Sequence, residues 1–144
     1  MKKLLFLSLF IIPFVTKAQF TIVNNSTTTL VELRTGEWPV ELQKIIKQTD
    51  TSFALQFRDQ QYPTAEITTT LVFRDLKQVR YLQQALSALK KSANGTETDF
   101  KDFSIKRNDV KKGDVRYTLI CSKGETVAFV QMDADKLIAA IAAL

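Results

Sequence analysis

Apolar side chains recur along this chain at two different spacings, and the spacing changes several times. From Thr27 to Arg34 (TTTLVELR) β-branched residues predominate, which predicts a strand. Gly36 interrupts that run, and Trp38-Pro39 reads as the opening of a short helix from Pro39 to about Gln48. Proline suits a first helical turn, and Leu42, Ile45 and Ile46 supply an apolar stripe. Next comes a period of two: Phe53, Leu55 and Phe57 share one face, and Ile67, Leu71 and Phe73 do the same. The turn-rich segment 59–64 joins them into a hairpin.

The period then lengthens. Leu76, Val79, Leu82, Leu86 and Leu89 recur at three- and four-residue steps, predicting a helix from Asp75 to Lys91, with Asp75 as N-cap and Asn94-Gly95 as the stop. After a polar connection (94–101) three strands are expected: Phe103 to Arg107, Val115 to Ser122 and Thr126 to Met132. Ser122-Lys-Gly-Glu125 is a tight-turn signal between the last two. Those two are nearly apolar throughout, which predicts a central place in a sheet covered on both faces. A last helix, Ala134 to Leu144, is expected to be capped by Asp133. The order β-α-β-β-α-β-β-β-α predicts an α+β fold: a mostly antiparallel sheet of about five to six strands with three helices, in one two-layer domain. Thr-Thr-Thr-Leu-Val occurs at 27–31 and again at 68–72. The match fades beyond five residues and is read as strand composition rather than duplication.

The N-terminus obeys neither period. Lys2 and Lys3 precede an apolar run from Leu4 to Val15, and Thr16-Lys17-Ala18 places small side chains before a cut after Ala18. This three-part layout predicts a cleaved secretory signal at residues 1–18, because a membrane-spanning helix needs ~20 apolar residues. The expectation is one exported domain, residues 19–144, in the periplasm or outside the cell, with no transmembrane anchor. Removal of the signal takes Lys2, Lys3 and Lys17 with it and lowers the formal net charge from +5 to +2. The basic balance of the full chain is therefore no argument for nucleic acid, which is not expected as a partner.

Residue chemistry narrows the function further. The chain has no histidine and a single cysteine, Cys121, set among apolar neighbours. No internal disulfide can form, His-dependent triads and zinc sites are excluded in their usual forms, and Cys121 is expected to be a buried, inert thiol. The four glycines are not clustered into a phosphate cradle. No cofactor is expected, and no catalytic or metal-ligating residue is assigned. Glu97, Asp99 and Asp102 are read as a solvated acidic loop, with a carboxylate-dependent hydrolase or lyase acting on envelope polymers as the alternative.

Two basic groups remain. Lys106, Arg107, Lys111, Lys112 and Arg116 cluster in sequence, interleaved with Asp109 and Asp114. Lys77, Arg80 and Lys91 lie opposite the leucines of the 75–91 helix. Together with Trp38, the only tryptophan, these form the candidate contact surface for an unknown protein or an anionic envelope component. Asn24, Asn25 and Asn94 lie in Asn-x-Ser/Thr sequons. The expected function is that of a small non-enzymatic binding or accessory domain. An oligomeric structural subunit using an exposed strand edge is the other alternative, and oligomeric state is left open.

Overall fold

The computed structural model describes residues 25–144 apart from 36, 37, 63, 65, 66 and 112. The expected signal segment therefore lies outside the described residues. The elements follow the same order twice, four strands and then a helix. The first unit is β1 (Asn25–Thr35), β2 (Trp38–Lys47), β3 (Asp50–Arg58), β4 (Thr68–Phe73) and α1 (Leu76–Leu89). The second is β5 (Glu97–Asp99), β6 (Phe103–Lys111), β7 (Asp114–Cys121), β8 (Thr126–Val130) and α2 (Gln131–Ala142). Each quartet forms its own antiparallel sheet with strands in sequence order.

The α+β class and the antiparallel pairing agree with the sequence reading. The count of elements does not: the described residues form two four-stranded sheets instead of one sheet of five or six strands, and two helices instead of three. The expected helix at Pro39–Gln48 is β2. Val40 and Leu42 are buried while Glu41 and Gln43, alternating with them, turn outward, a period of two. Leu42 sits between Val31 of β1 and Leu55 of β3. Pro39 is tolerated because it pairs with Arg34 of β1 but lies beyond the stretch that pairs with β3, so its missing N–H interrupts no central ladder.

Other differences are smaller. β5 was not anticipated, because its sequence Glu-Thr-Asp carries no apolar pattern. The last strand is not central: β8 ends the second sheet. The N-cap of α2 is Val130, and Asp133 lies inside the first turn, 3.4 Å from Lys136 Nζ. At α1 the expected cap is present, with the Asp75 carboxylate accepting from Gln78 N at 2.8 Å. The Ser122–Glu125 turn is also as expected, closed by Gly124 N donating to Cys121 O at 2.8 Å, with Gly124 at φ +97°. The two TTTLV strings occupy β1 and β4, which are followed by a strand and a helix respectively, so the echo does not mark equivalent places in the two units.

One hydrophobic core joins everything. Leu33, Leu42 and Phe57 of the first sheet, Ile105, Leu119 and Phe129 of the second, and Leu82, Leu86, Leu137 and Ile141 of the helices are all inaccessible to solvent or nearly so. The helices pack on each other and on both sheets, α1 against β3, β4, β5 and β6, and α2 against β1, β7 and β8. A polar clasp ties the sheets together as well. Asp59, 4% exposed, accepts from Thr126 N at 2.9 Å and from Gln61 N at 3.0 Å. Gln60 N donates to Thr126 O, and Gln60 Oε1 accepts from Ala128 N. This segment closes part of the outer edge of β8.

Candidate functional site

A concavity runs along β4. Residues 67–72 follow one another along the wall of a polar cavity of about 520 Å³, whose far side is Asp102, Ser122, Lys123 and Glu125. Side chains alternate across a strand, so six consecutive residues can border one cavity only if it lies against the strand's edge. β4 ends its sheet, and among the described residues no strand pairs with that edge. Ser122 N donates to Asp102 O at 3.1 Å, which fixes the two parts of the far wall to each other.

The groove continues into an apolar compartment of about 220 Å³ that shares Leu71, Val72 and Asp102 with it. Its floor is an aromatic series. Phe73 meets Phe103 edge-on at 5.9 Å, Phe103 stacks on Phe100 at 4.6 Å, and Phe100 faces Tyr81 of α1 at 6.5 Å with their planes 25° apart. Each element follows from local sequence. The period of two in β4 turns Leu71 and Phe73 inward, the helical period of α1 places Gln78 and Tyr81 beside each other at the mouth, and a tight turn (Phe100 N to Phe103 O, 2.8 Å) returns Phe100 over Phe103. Tyr81 stays 40% exposed and Val72 54% exposed. The arrangement offers stacking, apolar contact and unpaired backbone groups in one trough.

The sequence-assigned basic residues do not form one patch. Arg107 is on the helix-facing side of β6 with Ile105. Its Nη1 donates to the carbonyl oxygens of Leu89 (3.2 Å), Lys90 (3.0 Å) and Ser92 (2.6 Å), and its Nε to Asp109 Oδ1 at 2.9 Å. Arg107 thus adds a donor to the carbonyls at and just after the end of α1, of which Leu89 O also accepts from Ser92 N. Lys106 and Arg116 turn to the opposite face, Lys106 beside Glu97 and Thr118, and Arg116 beside Asn108 and 3.5 Å from Asp114. Lys111 is exposed at the end of β6, and Lys112 lies outside the described residues. Lys77, Arg80 and Lys91 are exposed on and just after α1, and Lys77 is one helical turn before Tyr81. Trp38 opens β2, and its side chain is outside the described residues.

Glu97 and Asp99 share the face of Lys106, whereas Asp102 borders the groove, so the three acids do not converge. Among the described residues no group of three or more His, Cys, Asp or Glu could hold a metal ion, and no helix is long and apolar enough to cross a membrane. Tyr81 and Phe100 were not singled out by sequence. The available signal was Phe100 itself, an isolated aromatic in the polar stretch Gly-Thr-Glu-Thr-Asp-Phe-Lys-Asp.

Cys121 is buried at the groove's inner wall, and burial first, then Glu125 and Asp59, push its thiol up to about 11 from 9.0. Native protein at pH 8 should therefore hold about a hundredfold less thiolate than the unfolded chain and react with a disulfide reagent correspondingly slowly. Rapid labelling of folded protein would contradict this. Because the folded pKa is raised, the neutral thiol's contribution to stability is complete below pH ~9 and is lost as pH climbs from 9 toward 11.

No protein-family model matches the chain, and comparison with curated proteins finds no match.

Proposed function

We propose that this chain is a small exported, non-enzymatic binding module whose principal contact site is the groove along β4. The observation that carries the reading is the stacking of the exposed Tyr81 on the part-buried Phe100 beside a strand edge that, among the described residues, no strand covers. Export is supported by the charged start, apolar run and small-residue site of residues 1–18. A binding role over catalysis is supported by the separation of Glu97 and Asp99 from Asp102 and by the protonated state of Cys121. Lys106, Lys111 and Arg116, on and beside the outer face of the second sheet, are a second contact region.

Immobilised protein incubated with envelope extract is expected to retain a partner in a salt-sensitive manner. Tyr81→Ala should abolish retention with little change in melting temperature, since that side chain is already exposed. Retention indifferent to Tyr81→Ala but lost on combined Lys111→Glu and Arg116→Glu would move the contact to the basic region. Retention of nothing would end the binding reading.

A further inference from the structure

The groove has a direction and a charge, and together they specify its occupant. Its long wall is the free edge of β4, a six-residue stretch (TTTLVF) with no proline, no charged residue and no bulge in its pairing to β3. Natural edges are usually protected by one of those devices, because an open edge presents a row of unsatisfied N–H and C=O groups. A chain lying extended in the groove would satisfy that row, and its alternate side chains would fall toward the aromatic compartment.

Three cations border this edge: Arg74 and Lys123 line the polar cavity, and Lys101 lines the aromatic compartment. None has a carboxylate within ion-pair distance among the described residues. Against them stand Asp102 and Glu125 in the groove, while Asp75 is turned to α1 as its cap. Over the two linings the excess is one positive charge.

Resting on the binding reading above, we infer that the groove receives an extended acidic polypeptide segment by strand addition to β4, with an aromatic side chain seated against Tyr81 and Phe100. The acidic residues lie near Arg74, Lys101 and Lys123, and the peptide backbone supplies the hydrogen bonds. Specificity comes from the aromatic compartment and the charges, affinity from the backbone ladder.

Random linear dodecapeptides displayed on phage, panned against the purified protein, should enrich sequences that combine an aromatic residue with Asp or Glu. In solution those peptides should slow hydrogen exchange of the Thr68–Phe73 amides, and N-methylation of alternate peptide nitrogens should abolish binding. Combined Lys101→Glu and Lys123→Glu, both at exposed positions, should weaken binding at least about tenfold, and Tyr81→Ala should do the same. Absence of enrichment, enrichment of basic sequences, or binding unaffected by the charge reversals would overturn the proposal. So would binding that leaves the β4 amides unprotected or survives N-methylation. Any of these, obtained while envelope extract still yields a Tyr81-dependent partner, would remove strand addition and leave the binding module standing.

Discussion

Asp59→Ala should lower the free energy of unfolding by about 3 kcal/mol, measured by urea denaturation. One oxygen, Oδ1, accepts from two backbone N–H groups, Gln61 within its own loop and Thr126 at the start of β8. A hydrogen bond to a charged group contributes ~1.5–3 kcal/mol, and a donor left buried without a partner costs ~1–3 kcal/mol. Alanine removes the acceptor from both donors at a site only 4% exposed. Asp59→Asn keeps an oxygen in the same place and should recover more than half of the loss. Equal losses for the two substitutions would show that Oδ1 is not what holds the first sheet to β8.

Leu42→Ala should cost about 3 kcal/mol, whereas Ile45→Thr, three residues on, should cost less than about 1 kcal/mol. Leu42 is wholly buried between Val31 and Leu55. Its truncation forfeits the transfer energy of the lost methyl groups and leaves a hole that two sheets of side chains cannot collapse around. Ile45 turns to the other face of β2, opposite Ser52 and Thr27, where it is half-buried and a β-branched threonine suits the strand. A helix over the same residues would place both side chains in one stripe and make the two losses similar. Chemical denaturation of the pair therefore separates the two secondary structures directly.

That contrast also shows what could be read from the chain. Where a period persisted, as in the five leucine and valine positions of α1 or the three of β3, the element and its buried face were both legible. Over Pro39–Gln48 two periods overlapped: Leu42, Ile45 and Ile46 fit a helix, while Val40 and Leu42 fit a strand. The choice was made by β1 and β3, whose open ladders flank β2 in space, a tertiary fact invisible to local spacing. The division into two sheets was hidden for a related reason. Nothing in the sequence states that β4 leaves an edge unpaired while Asp59 and Gln60 close the edge of β8. The groove follows from that asymmetry, and so does the role of Phe100, which belongs to no element and acquires meaning only when the turn to Phe103 folds it against Tyr81. Arg107 was legible as a charge but not as a cap, because its three carbonyl partners lie 15 to 18 residues away.

The packing of α2 against β1 has a consequence for the order of assembly. All six strand pairings join strands that are adjacent in sequence, so each sheet can zip up through short loops at small entropic cost. The contact between α2 and β1 instead spans most of the described chain. So long a loop closes at greater entropic cost than any of the strand pairings, and that cost falls once both sheets have shortened the distance its ends must search. The cover of the apolar side of β1, Leu33 included, thus depends on the far end of the chain.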